Sequence, residues 1–359
     1  MVGEKHGHLT VFKIKATRHG FLPRVISGEV NGLRKLVWRG NDVFAIEEIS
    51  APLAPRPDEV LLRVRSVGIC GTDIHILKGA FPKSRPPMVL GHEISGEIAA
   101  VGRDVKRVKE GDRVTVDAVV GCGTCPLCVR DRIQFGAEGF EFGITRDGGC
   151  QDYLLLPNRN VYPIPNALSF EEAAVLDMEV YNAVRKCRIE DHDSVLILGA
   201  GPIGLIACQV ARVLSAGHIT LSDLLEGRLK TAEILGVADA YEALPSPKQF
   251  DVVIDCAGTA GSLKQALRQV RACGRVLLYG VYEHLVDQID LNLIVLKDLI
   301  VFGAQSDRNG WEEVIELVSS GKLDLESLIT HRFALEEGHR AYDLVQRREL
   351  NTIKAVFMV

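Results

Sequence analysis

Ser194-Val195-Leu196-Ile197-Leu198, followed at once by Gly199-Ala200-Gly201-Pro202-Ile203-Gly204, decides how this chain folds. The first five residues read as a strand buried on both faces, because the run is apolar without alternation. The glycines then break it, and Ile203–Leu214 reads as a helix. In such a strand–turn–helix the first glycine permits a tight turn. The second lets backbone approach a pyrophosphate, and the third lets helix and strand lie close. The helix start offers unpaired N–H groups and a positive dipole end to phosphate. Gly199, Gly201 and Gly204, with Pro202 and Ile203 opening the helix, therefore read as a dinucleotide site.

The next strand, His218–Ser222, runs into Asp223, nineteen residues after Gly204. A carboxylate there accepts both ribose hydroxyls and repels a 2′-phosphate, so the expected cofactor is NAD(H) in preference to NADP. Arg228 either packs over the adenine or is a solvated helix charge. The alternation continues with a helix over Glu226–Leu235 and a strand over Asp251–Asp255. A helix over Leu263–Ala272 and a strand over Arg275–Gly280 follow. This order implies a parallel sheet with helices on both faces.

Upstream the texture differs. From Leu33 to about Pro165 the chain is short β-runs such as Leu33–Trp38, Val60–Val67, Glu97–Val101 and Arg113–Ala118. Pro52, Pro55, Pro57, Pro82, Pro86 and Pro87 mark loops between them. The tail from about Ser327 ends in an apolar run, Ile353–Val359, and reads as returning to this first domain. Residues 1–32 carry five Lys/Arg, three His and two acids, and read as a solvated tail or an added edge strand.

At 359 residues, 47% of them hydrophobic and 25% charged, the chain has the size and balance of a two-domain globular protein. Its net charge of −5 gives no footprint for nucleic acid or an anionic membrane. No apolar run approaches the ~18–20 residues that span a bilayer. Met1–Thr10 lacks the pattern of a secretory signal, so the expected compartment is the cytoplasm. Nine cysteines, three of them at two-residue gaps, read in a reducing compartment as metal ligands plus buried thiols.

The chemistry concentrates in Cys70-Gly71-Thr72-Asp73-Ile74-His75 and Gly91-His92-Glu93. A thiolate, an imidazole and carboxylates are the donors a catalytic zinc takes with one position open. These two segments, with Gly96, Gly102, Val105, Gly111-Asp112-Arg113-Val114 and Asp147-Gly148-Gly149, resemble the zinc-containing medium-chain alcohol dehydrogenases. The nearest branch is that of the sorbitol (polyol), threonine and butanediol dehydrogenases. The resemblance runs from about residue 33 to the end. It implies an α/β fold: a β-rich GroES-like catalytic domain over 33–185 with 327–359, and a Rossmann doubly wound parallel-sheet cofactor domain over 186–326.

The resemblance also implies roles. Cys70 and His92 would bind zinc, with Glu93 a direct ligand or an exchanging neighbour. Asp73 would fix the tautomer of His92 from its other nitrogen, or else serve as a turn residue. The last protein ligand falls in Ala174-Val175-Leu176-Asp177-Met178-Glu179, where Asp177 is the best match and Glu179 the alternative. The polyol branch usually has a proline where this chain has Met178. Thr72 would take the proton of the substrate alcohol and His75 would pass it to solvent, as suits an imidazole titrating near neutrality; both have plain turn or surface readings. Cys122, Cys125 and Cys128 keep the first three positions of the family's structural-zinc lobe. Gly136 stands at the fourth, leaving Asp131, Glu138 or a displaced Cys150 to complete it, or no metal at all.

The implied reaction is reversible hydride transfer between a secondary alcohol (a polyol, sugar or hydroxy-amino acid) and NAD. The partners are then a small-molecule alcohol or ketone and further copies of the chain, as a homotetramer or homodimer. Two other readings stand: a zinc-free quinone or enoyl reductase, and a catalytically silent NAD(P)H-binding protein. Phe81 is a candidate pocket wall, but apolar walls discriminate weakly.

Overall fold

The structure, a computed structural model, describes residues 32–49, 54–243, 249–305, 309–347 and 352–359. The expected extension over 1–32 lies, Gly32 apart, outside them.

Ser194–Leu198 forms the middle of a parallel sheet. Among the described residues this sheet has six strands, ordered 3-2-1-4-5-6 along the chain: Ala240–Glu242, His218–Ser222, Ser194–Leu198, Phe250–Asp255, Val270–Leu278 and Ile300–Gly303. The order reverses beside Ser194–Leu198, and a doubly wound sheet binds its ligand in the crevice at such a switch point. The unbroken apolar run now has its cause. Val195 and Ile197 enter one core, with Leu205 and Val210 of the helix Pro202–Val213. Leu196 and Leu198 enter another, with Ala266 and Leu267 of the helix Ala260–Gln269. Alternate residues face opposite sides, and both sides are covered. Each fully buried aliphatic side chain here contributes about 1.5–3 kcal/mol.

One expectation fails. The helix expected over Leu263–Ala272 ends at Gln269, and the strand begins at Val270, not Arg275. Val270 turns extended (ψ 137) and pairs with Phe250. Cys273 then adopts a positive φ of 57, and Gly274 lies where a Cβ would come 2.4 Å from Val270 Cγ2. Pairing with the neighbouring strand overrides local helix propensity.

The β-rich half has, among the described residues, a seven-stranded sheet with the path Val161–Pro163, Arg113–Val116, Glu93–Val101, Glu59–Ile69, Lys354–Met358, Ile329–Ala334, and with Tyr153–Pro157 pairing beside Glu59–Ile69. Lys354–Met358 pairs antiparallel with Glu59–Ile69 and parallel with Ile329–Ala334, so the end of the chain lies inside the sheet that its beginning builds. A smaller sheet joins Phe44–Ile49, Leu33–Trp38 and Met88–Val89. Val119–Val120 and Phe140–Glu141 form a ribbon bracketing the cysteine lobe. The class is therefore α/β, with a β-rich domain beside a doubly wound parallel sheet. Among the described residues no helix is long and apolar enough to cross a membrane.

Candidate active site

Cys70 is the N-cap of a short helix, Gly71–Leu77, that follows the strand Glu59–Ile69. Asp73 lies one turn in and is fully buried. Its Oδ2 accepts the Cys70 N–H at 2.9 Å, which fixes the cap. Its Oδ1 stands 3.5 Å from His92 Nδ1. One carboxylate thus locates the thiol and faces the imidazole. The His92 pKa is raised well above the usual value: burial works against the cation, but Asp73 and then Cys70 outweigh it.

His92 and Glu93 sit where the chain enters the strand Glu93–Val101, and the entry depends on Gly91. Gly91 has φ +92, and a Cβ there would meet Val67 Cγ1 at 2.6 Å and Cys150 Sγ at 2.8 Å. Across the sheet Glu93 pairs with Gly68, where a Cβ would fall 1.9 Å from Glu93 Oε2. Gly68 is therefore a cradle for the carboxylate.

Donor atoms of Cys70, His92 and Glu93 all lie within 4.8 Å of one another. Glu93 Oε2 is buried without a hydrogen-bond partner. A soft thiol, an imidazole and an orphaned carboxylate oxygen at that spacing fit a zinc ion. The other oxygen, Oε1, accepts from Lys354 Nζ at 2.6 Å. Lys354 escaped the sequence reading. Its one signal was a cation inside the otherwise apolar run Ile353–Val359.

Asp177 is outside the 4.8 Å cluster. It caps the helix Met178–Arg185, with Oδ1 accepting the Val180 N–H at 2.9 Å. Its carboxyl is still part of the same electrostatic unit. Burial first, then the Glu93 charge, push its pKa up to about 6, while the Val180 N–H and Lys354 oppose the rise. Glu179 lies in the first turn of that helix, half-buried like Asp177, and is also outside the 4.8 Å cluster. Another carboxyl that sequence did not flag, Glu141, has its pKa raised by burial, with the His92 charge opposing. It lies on the strand Phe140–Glu141, and Gly143, two residues on, packs against the Gly91–His92 backbone.

Thr72 and His75 are three apart on the helix Gly71–Leu77 and so share a face. Thr72 Oγ1 is 3.6 Å from Cys70 Sγ. His75 Nδ1 stands 3.0 Å from Glu283 Oε1, and Glu283 belongs to the cofactor half of the chain. Phe81 packs against the core of the β-rich domain.

In the nucleotide turn, Gly199 has φ +106 and Gly204 lies so near that a Cβ would be 1.8 Å from Gly199 O. Gly201 caps the helix Pro202–Val213, with Pro202 in its first turn and Ile203 next. Asp223 braces this turn: Oδ2 accepts the Ala200 N–H and Oδ1 the Leu225 N–H, each at 2.8 Å. Arg228 Nη1 is 3.9 Å from Asp223 Oδ2, and a Cβ at Gly201 would be 3.7 Å from the same nitrogen. Arg228 thus stands over the glycine turn.

Cys122, Cys125 and Cys128 also converge within 4.8 Å. The Thr124 and Cys125 N–H groups bring Cys122 down to about 6, and those of Cys128 and Ala137 lower Cys125. Cys128 moves up: the Gly123 N–H opposes this, but burial and the two neighbouring sulfurs prevail. Among the described residues neither Asp131 nor Glu138 joins the trio. Cys150 is elsewhere, buried with its Sγ 3.7 Å from the Tyr342 hydroxyl, and it precedes the strand Tyr153–Pro157 instead of lying in one. A Cβ at Gly136 would point into the trio, 2.7 Å from Cys128 Sγ and 3.8 Å from Cys125 Sγ.

Residues 56–166 match the family model for the alcohol dehydrogenase GroES-like domain, and residues 202–320 match that for zinc-binding dehydrogenases. An L-threonine 3-dehydrogenase of Photorhabdus laumondii is 33% identical over 314 residues, covering 81% of this chain and 91% of that protein. Among solved structures, a short chain alcohol dehydrogenase of E. coli CFT073 complexed with NADH superposes with a TM-score of 0.83 at 28% identity, covering 91% of this chain and 99% of that one. A protein of Sinorhizobium meliloti 1021 described as a zinc-binding dehydrogenase, bound to NADP, does so with a TM-score of 0.83 at 29% identity, covering 92% and 100%.

Proposed function

Because the chain belongs to the zinc-binding dehydrogenases with an alcohol dehydrogenase GroES-like domain, and is an alcohol dehydrogenase, we propose that it interconverts a secondary alcohol and its ketone with NAD(H). The observation that carries this reading is the convergence of Cys70, His92 and the orphaned oxygen of Glu93 within 4.8 Å. When bound there, zinc supplies a Lewis acid for the alcohol oxygen, and the nicotinamide supplies the hydride acceptor.

The remaining work falls to the chain. Cys70, His92 and Glu93 hold the ion, and Asp73 orients His92. Lys354 balances the buried Glu93 charge. Asp177, outside the donor cluster and holding the Val180 N–H, would join Cys70, His92 and Glu93 as a ligand only by leaving that cap; Glu179 is likewise outside the cluster. Thr72 Oγ1 takes the proton of the substrate hydroxyl and His75 carries it away. The glycine turn seats the pyrophosphate, and Asp223 favours NAD by repelling a 2′-phosphate. Within the substrate class, we put hydroxy-amino acids first on a test panel, ahead of polyols and sugars; the similarity to an L-threonine 3-dehydrogenase supports that order.

The cysteine lobe is read as a three-thiolate site whose fourth position lies open at Gly136. One tightly held zinc per chain is accordingly the expected content. We place the enzyme in the cytoplasm, and further copies of the chain against the outer edge of the parallel sheet. There Ile300 and Val301, with Leu291, Val295 and Leu296, leave apolar side chains exposed.

The test combines metal analysis with NADH production over an alcohol panel, using the wild type and Cys70→Ser. Cys70→Ser should lose zinc and fall by at least about a hundredfold in turnover while binding NADH normally. Undiminished turnover in a zinc-free Cys70→Ser protein would sink the mechanism in favour of a zinc-free reductase. NADH binding without turnover of any alcohol would favour a silent binding protein.

A further inference from the structure

The contact between His75 and Glu283 joins the two halves of the molecule at the end of the proton path. His75 lies on the helix that starts at the metal ligand Cys70, whereas Glu283 follows the fifth strand of the cofactor sheet, Val270–Leu278. Their atoms are 3.0 Å apart, and the His75 side chain is only 20% exposed. The His75 Nδ1 atom is cut off from water, yet the approach to Glu283 is not aligned as a hydrogen bond. A buried imidazole nitrogen within reach of a carboxylate, but not aimed at it, is one small movement short of a proton contact.

We propose that Glu283 is a positioning residue that completes the proton exit: when the two domains draw together it receives the His75 N–H, so proton release is coupled to closure over the cofactor. This rests on the alcohol dehydrogenase reading above. The balance is simple. The substrate gives its hydroxyl proton to Thr72 Oγ1, and Thr72 gives its own proton to the imidazole. The imidazolium Nδ1–H is then drawn to the Glu283 carboxylate, from which the proton passes to water. The hydride and its electron pair go from the carbinol carbon to NAD, so alcohol and NAD become ketone, NADH and one proton.

The surroundings suit an anionic acceptor. Lys78, at the C-cap of the same helix as His75, places Nζ 3.5 Å from the same Glu283 oxygen. Burial opposes ionisation of Glu283, but Lys78, His75 and His284 together hold its pKa below the usual carboxylate range. Its side chain is 40% exposed, so one flank faces the cluster and the other faces water. Lys78, from across the boundary, keeps Glu283 charged and beside the relay.

The experiment uses the full-length, zinc-loaded chain as wild type, Glu283→Gln, Glu283→Ala and Glu283→Asp, with the best alcohol of the panel. Three quantities are read: the pH profile of kcat, KM for the alcohol, and Kd for NADH from nicotinamide fluorescence. Glu283→Gln should lower kcat about tenfold, below the ~10²–10⁴-fold of a group that transfers the proton to or from substrate directly, and displace its pH profile, with KM and NADH affinity nearly unchanged. Glu283→Asp should recover part of the loss, and added formate should accelerate Glu283→Ala but not the wild type. A wild-type kcat and pH profile in Glu283→Gln would overturn the proposal. So would a loss seen wholly as weaker NADH binding and unrescued by formate, since Glu283 would then be a clamp only. A wild type that oxidises no alcohol removes the parent reading, and this one with it, before any variant is made.

Discussion

Glu93 is the residue on which the site's stability balances. One of its oxygens faces the donor atoms of Cys70 and His92 and the other meets Lys354 at 2.6 Å, with both side chains at least four-fifths buried. Breaking a buried pair from one side leaves an uncompensated charge, which costs about 3–5 kcal/mol, whereas removing both charges is far cheaper. Lys354→Met should therefore destabilise the metal-free protein by about 3 kcal/mol or more, and Glu93→Gln/Lys354→Met should win most of that back. Urea denaturation of the metal-free forms checks this; equal stability of the single and double variants would contradict it. The case also marks what was readable at this scale. Cys70, His92 and Glu93 lie in two short motifs whose residue types announce metal chemistry. Lys354 lies 261 residues from its partner, and no local pattern connects them. Glu283 is hidden in the same way, since its relevance comes only from a contact made across the two halves.

At the scale of elements, the parallel sheet is pinned at the entrance of its first strand. Asp251 Oδ2 accepts both the N–H and the hydroxyl of Ser194, at 2.8 and 2.7 Å, and Oδ1 takes Arg271 Nε at 2.5 Å. Burial alone would raise its pKa, but Ser194 and Arg271 bring it down to about 2. A folded-state pKa below the unfolded value of ~3.9 means stability that is complete above about pH 4 and lost as pH falls toward 2. Asp251→Asn should thus cost about 2 kcal/mol at neutral pH, and the gap to wild type should close between pH 4 and 2. Thermal melts across that range decide it; a gap independent of pH would mean that packing, not charge, is lost. The three-cysteine lobe invites the opposite experiment. Gly136→Cys supplies a fourth sulfur along the direction of the missing Cβ, where Cys128 Sγ at 2.7 Å has to swing aside and the Ile133 carbonyl at 3.0 Å has to give by a few tenths of an ångström. Zinc content after dialysis should rise from about one to about two per chain, since four thiolates close a tetrahedral site. Helices and strands of the parallel sheet were legible because burial on both faces writes unbroken apolar runs. Junctions such as Gln269-Val270 were not, because no Gly or Pro marks them and the pairing partner Phe250 lies elsewhere in the sequence. Short strands such as Met88–Val89 and Val119–Val120 carry too few residues to show a period.

For the whole molecule, the unfinished surface is the outer edge of the parallel sheet. Ile300–Gly303 pairs on one side with Val270–Leu278, and its Ile300 and Val301 side chains are exposed. Open apolar edges are liabilities that proteins cover. On the proposed association of copies through this edge, Val301→Lys should yield monomers in light scattering while leaving NADH affinity intact; a mass equal to that of the wild type would count against a contact there. The architecture was foreseeable from one strand–glycine–helix unit and a change of texture upstream of it. The site's closure was not, since it needs groups from both halves and from the far end of the chain. The strand Lys354–Met358 has a consequence for the order of folding. Lys354–Met358 fills the slot between Glu59–Ile69 and Ile329–Ala334 and brings with it the only cation paired to Glu93 among the described residues. The parallel sheet is closed by contacts within one stretch of the chain, residues 194–303, whereas the β-rich sheet needs a contact across 261 residues. Closing so long a loop costs more chain entropy and comes later, so the glycine turn takes shape ahead of the cluster of Cys70, His92 and Glu93.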